Sequence, residues 1–186
     1  MFLVYSFTVG RTIVRTTYNN QIFEVEPGYP RLLKDELETS TVPLSVNAAI
    51  YSFKEDKQLY LLEKRTFYVY KFSWNNRLVT EFVRTFSLDD TSENNPFRPL
   101  GSNSDPVPQD ITAMSIVAVM QTDKGTFVVM LAFSGSKFYH FVSAPVAVGG
   151  RWTEKSPIDT PCNVRRNSIL SQHLILCLDS NNDVHM

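Results

Sequence analysis

The sequence lacks several residue patterns, and each absence excludes a class of protein. It has two cysteines, Cys162 and Cys177, too few for the disulfide-rich framework of small secreted domains. Its apolar runs are far shorter than the roughly 20 residues that a membrane helix needs, so we expect no membrane span. Lysine and arginine together number 18 against 19 acidic residues, a net charge of −1. Because binding to nucleic acid depends on a basic surface, we expect no nucleic-acid partner.

Signatures of catalysis are also missing. The chain has no His-Glu-x-x-His, no Gly-x-Ser-x-Gly and no P-loop, and its carboxylates are scattered over predicted turns. The three histidines, His140, His173 and His185, fall on separate predicted strands, and nothing in the sequence brings them together. We therefore expect a protein that is not an enzyme. Its cofactors stay unknown from the sequence, and no residue is assigned to catalysis, to a cofactor or to a metal.

Targeting signals give little guidance about the compartment. The apolar start, Met1 to Phe7, has no basic segment before it and is broken by Gly10-Arg11, so a first strand is favoured over a signal peptide. None of the twelve asparagines lies in an Asn-x-Ser/Thr sequon. The localisation is therefore unknown from the residues alone.

What the chain does contain is a repeat. With 43% hydrophobic and 12% aromatic residues, the chain has enough material for one folded domain. Four windows of similar character each follow an apolar strand, and each is typical of a β-hairpin with a short polar or glycine turn. They read FTVGRTIVR from Phe7, LEKRTFYVY from Leu62, FSGSKFYHF from Phe133 and LDSNNDVHM from Leu178.

Around these windows we predict a single all-β domain, 1–186, of four repeats. Their approximate bounds are 1–37, 44–95, 110–160 and 164–186, with a surface loop at 89–109 that is rich in Asp, Ser, Asn and Pro. We predict one short helix, Pro30–Leu37, because leucines recur on one face after a proline that suits a first helical turn. The first and last repeats have fewer predicted strands than the others, so we expect their strand edges to be open.

The residue pattern of the repeat resembles that of the hemopexin-like family. The similar elements are Gly28-Tyr29-Pro30-Arg31, Asn47-Ala48-Ala49, Tyr60-Leu61-Leu62, Phe67-Tyr68-Val69-Tyr70 and the window Phe133–Phe141. The resemblance implies a small four-bladed β-propeller, each blade a four-stranded antiparallel sheet, and an extracellular life. It also implies a non-catalytic binding module that engages a protein partner, or a small ligand, through propeller loops or the top face.

This sequence matches the family's ion-binding position and its disulfide only in part. Family members hold ions near an inner-strand Asn or Asp, a position that Asn47 fills here, whereas Thr112 stands in the equivalent place of the third repeat. The family disulfide joins the first and last blades, but here no cysteine precedes Cys162. Cys162 and Cys177 could form a disulfide within the last repeat or remain two buried thiols, and the sequence leaves both open.

Two further alternatives remain open at this stage. Gly149-Gly150-Arg151-Trp152 resembles the Gly-x-Trp of lipocalins, which favours a β-barrel carrier of a small apolar ligand as the alternative function. Open strand edges in the terminal repeats favour pairing between chains, so a homo-oligomer is expected as an alternative to an edge-bound protein partner.

Overall fold

The computed structural model of the chain describes residues 2–7, 11–19, 22–37, 39–51, 58–73, 78–145, 147–155, 177–178 and 184–185. These residues form fourteen β-strands and one helical turn, and every ladder between strands is antiparallel. The expected all-β class is therefore confirmed. No helix in the described part of the chain has the length and apolar character of a membrane span.

Three four-stranded sheets follow one another along the chain. Sheet 1 consists of β1 (Phe2–Phe7), β2 (Thr12–Asn19), β3 (Ile22–Val25) and β4 (Arg31–Leu32), and both β3 and β4 pair with β2. Sheet 2 runs in sequence order through β5 (Ala48–Tyr51), β6 (Gln58–Glu63), β7 (Thr66–Ser73) and β8 (Leu78–Ser87). Sheet 3 repeats that order with β9 (Ala113–Thr122), β10 (Gly125–Ser134), β11 (Lys137–Ser143) and β12 (Gly150–Lys155). A last pair joins β13 (Cys177–Leu178) to β14 (Val184–His185).

The four predicted hairpins are confirmed, and two of them share one register. Leu62 pairs with Phe67 in sheet 2, and Phe133 pairs with Phe138 in sheet 3, so both turns have two residues at the tip. Lys64 and Gly135 occupy these turns at positive φ, as tight hairpin turns require. In the first and last hairpins the innermost described pairs are Phe7 with Ile13 and Leu178 with Val184, and each pair has five residues between its members, against four between Leu62 and Phe67.

Sheets 2 and 3 bury a shared hydrophobic core between them. Tyr60, Phe67 and Val69 from sheet 2 meet Met130, Phe141 and Trp152 from sheet 3. Because side chains alternate along a strand, the neighbours of the sheet 2 residues point to the other face. There Leu59, Leu61 and Tyr70 pack with Ile13 of sheet 1 and with Leu33, Leu37 and Val46. Sheet 2 is thus covered on both faces.

The loop predicted at 89–109 has no regular element, but it is more than a surface loop. Phe97 is buried and packs against Phe67 and Phe141, with ring centroids 5.1 and 5.7 Å apart. Asn95 is fully buried: its amide nitrogen donates to the carbonyls of Leu88 and Asp90, and its amide oxygen accepts from the Phe97 N–H. Asn95 therefore satisfies the backbone of the turn that places Phe97 in the core.

The same loop lies along the free edge of β12. The N–H groups of Leu100 and Asp105 donate to the Gly150 and Trp152 carbonyls at 2.7 and 3.0 Å. In return the Gly150 N–H donates to the Arg98 carbonyl, and those of Trp152 and Glu154 donate to Ser104 and Asp105 side chains. The outward-facing backbone groups of this edge strand are thereby satisfied within the chain.

The helix predicted at Pro30–Leu37 is wrong in extent. Arg31 and Leu32 are extended and pair with Ile13 and Thr12, and only Leu33–Glu36 (α1) forms a helical turn. The residue before α1, Leu32, has an extended backbone and makes no side-chain cap. Pairing with β2 takes these residues into sheet 1 instead.

Candidate binding pocket

A half-open pocket lies where sheet 1 meets the segment that leads into sheet 2. Its volume is about 260 Å³, and its lining is formed by Arg11, Leu32, Leu33, Lys34, Val42, Pro43 and Leu44. Leu33 and Pro43 are buried, whereas Leu32 and Leu44 are 40% and 72% exposed. The pocket thus has an aliphatic floor and exposed aliphatic walls.

The first wall is held by sheet 1. Leu32 pairs with Thr12, and the Leu33 N–H donates to the Arg11 carbonyl at 2.8 Å, so the start of β2 and the end of β4 are fixed side by side. Leu33 then anchors α1 in the core between sheets 1 and 2. This wall places Arg11 and Lys34 at the rim with both side chains exposed.

The second wall is held by sheet 2. The Tyr70 hydroxyl donates to the Thr41 carbonyl at 2.9 Å, and the Ser45 N–H donates to the Glu63 carboxylate at 3.1 Å. Burial raises the pKa of Tyr70, so its hydroxyl keeps its proton and stays a donor. These two bonds fix residues 41–45, and with them Val42, Pro43 and Leu44, against the sheet.

The charge at the pocket rim is positive. Neither Arg11 nor Lys34 forms an ion pair with a residue that the structure describes, and no carboxylate lines the pocket. The nearby Glu36 is buried and turned to other partners: it accepts from the Tyr29 hydroxyl at 2.8 Å and lies 3.9 Å from an Arg31 nitrogen. An aliphatic group with a neighbouring negative charge matches this arrangement.

Asn47 contacts the turn of the hairpin formed by β6 and β7. Its side-chain oxygen accepts from the Lys64 N–H at 2.8 Å, and its own N–H donates to the Leu62 carbonyl. Thr112 makes the equivalent backbone bond to Phe133, which agrees with the predicted equivalence of the two residues. The Asn47 oxygen is therefore engaged by the turn, and a role for it in ion binding stays a prediction. In the described ranges no three His, Cys, Asp or Glu side chains gather as a metal site.

The structure describes only some of the other residues that were singled out from the sequence. His140 is half-buried on β11, where burial and the charge of Lys155 lower its pKa. His173 and Cys162 lie outside the described residues, so a disulfide between Cys162 and Cys177 stays a prediction.

The Gly-Gly-Arg-Trp segment has a packing role. The Trp152 ring nitrogen donates to the Phe97 carbonyl at 2.8 Å, and the side chain is fully buried. A Cβ on Gly150 would lie 2.3 Å from the Val142 carbonyl oxygen and 2.6 Å from the Phe141 ring. This glycine is therefore required for β12 to approach β11.

Comparison with known proteins adds no family. The comparisons with protein-family models and with curated proteins give no match. The sequence did not predict the pocket, because Arg11 and Leu44 are distant in the chain and Leu44 belongs to none of the repeated windows. Exposed leucines in a polar stretch were the only available signal.

Proposed function

We propose that this chain is a non-catalytic binding module with the repeat organisation of a small β-propeller, and that it engages a protein partner. Two observations support the propeller arrangement. Sheets 2 and 3 are four-stranded meanders of the same strand order, and their first strands, β5 and β9, lie beside each other. In a propeller, blades of this kind stand around a central channel.

The pocket, with two cations that form no ion pair with a described residue, carries the proposal of a binding function. Its volume of about 260 Å³ is below the roughly 300 to 1,000 Å³ of typical small-molecule sites. This size suits a single aliphatic side chain better than a whole small ligand. The partner group that fits is an aliphatic residue followed or preceded by Asp or Glu, with the carboxylate near Arg11 and Lys34.

No observation favours the alternative of a β-barrel carrier. The described strands belong to three separate four-stranded sheets and one two-stranded pair, whereas a carrier of the lipocalin type closes one sheet around its ligand. Association through open strand edges stays a prediction for the terminal repeats. On sheet 3 the edge of β12 is occupied by residues 98–105 of the same chain.

A peptide array tests the proposal directly. We expect the full-length chain to retain peptides with a Leu-Glu or Leu-Asp core, and to bind Leu-Lys and Ala-Glu analogues more weakly. The double variant Arg11→Glu, Lys34→Glu should lose this preference because the charge of the rim is reversed. Raising the salt concentration should weaken wild-type binding, since the rim charges are exposed.

The matched control is Lys124→Glu, which reverses an exposed charge at the turn between β9 and β10. It should bind the same peptides as the wild type. Equal retention of all peptides, or retention unchanged by the double variant, would contradict the proposed site.

A further inference from the structure

The segment that forms the second wall of the pocket, residues 41–45, turns its main-chain groups in two directions. Two of these groups are bound to sheet 2. The Tyr70 hydroxyl donates to the Thr41 carbonyl at 2.9 Å, and the Ser45 N–H donates to the Glu63 carboxylate at 3.1 Å. These bonds fix the direction of the two peptide units to which the Thr41 carbonyl and the Ser45 N–H belong.

The other halves of the same two peptide units point away from their sheet 2 partners. A trans peptide unit is planar, and its C=O and its N–H point in opposite directions. The peptide bonds between residues 41 and 42 and between residues 44 and 45 are both trans. Because the Thr41 carbonyl is directed at sheet 2, the Val42 N–H is directed away from it. The Leu44 carbonyl is turned away in the same manner, since the Ser45 N–H is directed at sheet 2.

Neither of these two groups has a partner among the residues that the structure describes. No described residue forms a hydrogen bond with the N–H or the C=O of Val42 or Leu44. Both residues line the pocket, and Leu44 is 72% exposed. Main-chain groups of folded proteins are almost always paired, with the protein itself or with water. The pocket therefore offers a ligand one main-chain donor and one main-chain acceptor beside its aliphatic lining.

Pro43 holds the two groups in place between the bonds to sheet 2. Its ring fixes its own φ and restricts the preceding residue, Val42, to extended backbone. Pro43 is also buried, unlike Leu44 after it. The donor and the acceptor are thus positioned before a ligand arrives, which lowers the entropy that binding would cost.

We propose that the partner binds this pocket with its main chain as well as with a side chain. A carbonyl of the partner accepts from the Val42 N–H, and an N–H of the partner donates to the Leu44 carbonyl, while the aliphatic side chain fills the pocket. This inference rests on the function proposed above and names the class of partner, which is an extended or irregular peptide segment. A residue inside a helix does not fit, because its main-chain groups are already paired within the helix.

Replacing single amides of a peptide probe by esters tests the bond to Leu44. The probe is acetyl-Ala-Ala-Leu-Glu-Ala-Ala-amide, and an ester removes one N–H without adding bulk. Titration of the full-length chain measures the affinity for each ester in turn. We expect an ester at the leucine, at the glutamate or at the residue after it to weaken binding about fivefold or more, because a hydrogen bond is lost. The matched control is an ester at the last residue, which should bind within about twofold of the parent peptide.

Hydrogen exchange at the Val42 amide tests the other bond. Residue-resolved NMR of the full-length chain gives the exchange rate with and without a saturating amount of the same probe. We expect the Val42 amide to exchange at least about tenfold more slowly with the probe bound, because a paired amide exchanges only when its bond opens. The control is the amide of Gly101, an exposed residue of the loop along β12, whose rate should not change.

The outcomes separate this inference from the function on which it rests. Binding that still depends on Arg11 and Lys34, with all esters equivalent to the parent peptide, would overturn the main-chain bonds and leave the proposed function standing. An unchanged exchange rate at Val42 in the saturated complex would overturn them as well. Failure of the chain to bind the probe or any other peptide with a Leu-Glu or Leu-Asp core would overturn both.

Discussion

Sheets 2 and 3 have the same strand order and the same hairpin register, yet their two faces are buried differently. In sheet 2, Phe67 and Val69 enter one core and Leu61 and Tyr70 enter the other, and all four are fully buried. In sheet 3, Phe141 and Trp152 are fully buried on one face, whereas Val142 on the other is 37% exposed.

The difference arises from position in the molecule and not from composition. Phe127, Val129, Leu131 and Val142, on the face of sheet 3 that points away from sheet 2, are as apolar as the residues that sheet 2 buries against sheet 1. An apolar face is costly to leave in water, at roughly 25 cal/mol for each Å².

The largest effect is expected in the core that both sheets share. Phe67→Ala should lower the free energy of unfolding by about 3 to 5 kcal/mol, because it leaves a cavity beside the Phe86 and Phe97 rings. Urea unfolding measures this loss. Val119→Ala, at a 47% exposed site on sheet 3, should change stability by no more than about 0.5 kcal/mol. Similar losses for the two variants would contradict the two-sided burial of sheet 2.

A smaller loss of stability tests whether the face of sheet 3 that packs on sheet 2 is as closely packed as sheet 2 itself. Gly150→Ala should cost about 1 to 3 kcal/mol, because its Cβ would lie 2.3 Å from the Val142 backbone oxygen, which cannot move without disturbing the β11–β12 ladder. Thermal unfolding gives the comparison. Gly101→Asn is the control, since Gly101 has no neighbour within 4 Å and asparagine tolerates its positive φ. If Gly150→Ala is as stable as this control, the close approach of β11 and β12 is wrong.

A change at Tyr70 of sheet 2 is expected to lower stability by about 1 kcal/mol and also to weaken peptide binding at the pocket. Tyr70→Phe removes the hydroxyl that holds the Thr41 carbonyl, so we expect this modest loss of stability and weaker binding of Leu-Glu peptides. Tyr139→Phe removes the hydroxyl that donates to Glu154 in sheet 3 and should leave peptide binding unchanged. Titration of both variants with one labelled peptide checks the difference. Equal affinities would mean that the second wall does not depend on Tyr70.

The smallest expected change in stability concerns the ion pair between Arg65, in the turn between β6 and β7, and Asp89, at the start of the 89–109 loop. The Arg65 guanidinium donates to the Asp89 carboxylate at 2.7 Å and holds the pKa of Asp89 below its usual value of 3.8. Because the folded pKa is the lower one, the stabilisation is complete above pH 3.8 and is lost as the pH falls through the folded pKa. The pair is largely exposed, so Asp89→Asn should cost less than about 1 kcal/mol at pH 7.

Urea unfolding at a series of pH values from 7 downwards checks the sign of this effect. The difference between wild type and Asp89→Asn should shrink in acid. The control is Asp123→Asn, which removes an exposed carboxylate at a turn of sheet 3. A gap that widens in acid would contradict the assigned pair.

Local patterns in the sequence predicted the hairpins well, because each turn is decided by residues that are neighbours in the chain. Lys64 and Gly135 sit at the two turns where the windows were aligned. The predicted helix at Pro30–Leu37 was largely wrong because Arg31 and Leu32 pair with β2, a contact between residues distant in sequence. The buried role of Phe97 was hidden for the same reason, since its loop is polar on average and its partners come from three other segments.

Two-sided burial was visible in the sequence only in part. The run Phe67-Tyr68-Val69-Tyr70 has no polar alternation, which is typical of a strand covered on both faces, but it does not indicate which segments cover β7. The pocket depends on the packing of sheet 1 against residues 41–45, and no local pattern encodes that arrangement. Its cations could be found in the sequence, but the sequence could not show that no described carboxylate pairs with them.

The loop segment 98–105, which lies along β12, limits the changes in length that this protein tolerates in the cell and in evolution. Loops usually accept insertions and deletions, but residues 98–105 act as a fifth, irregular strand beside Gly150, Trp152 and Glu154. Shortening this segment would expose a row of unpaired backbone groups and make the edge of β12 a template for intermolecular aggregation. The polar, proline-rich stretch that looks most dispensable in the sequence is therefore among those with the least freedom in length.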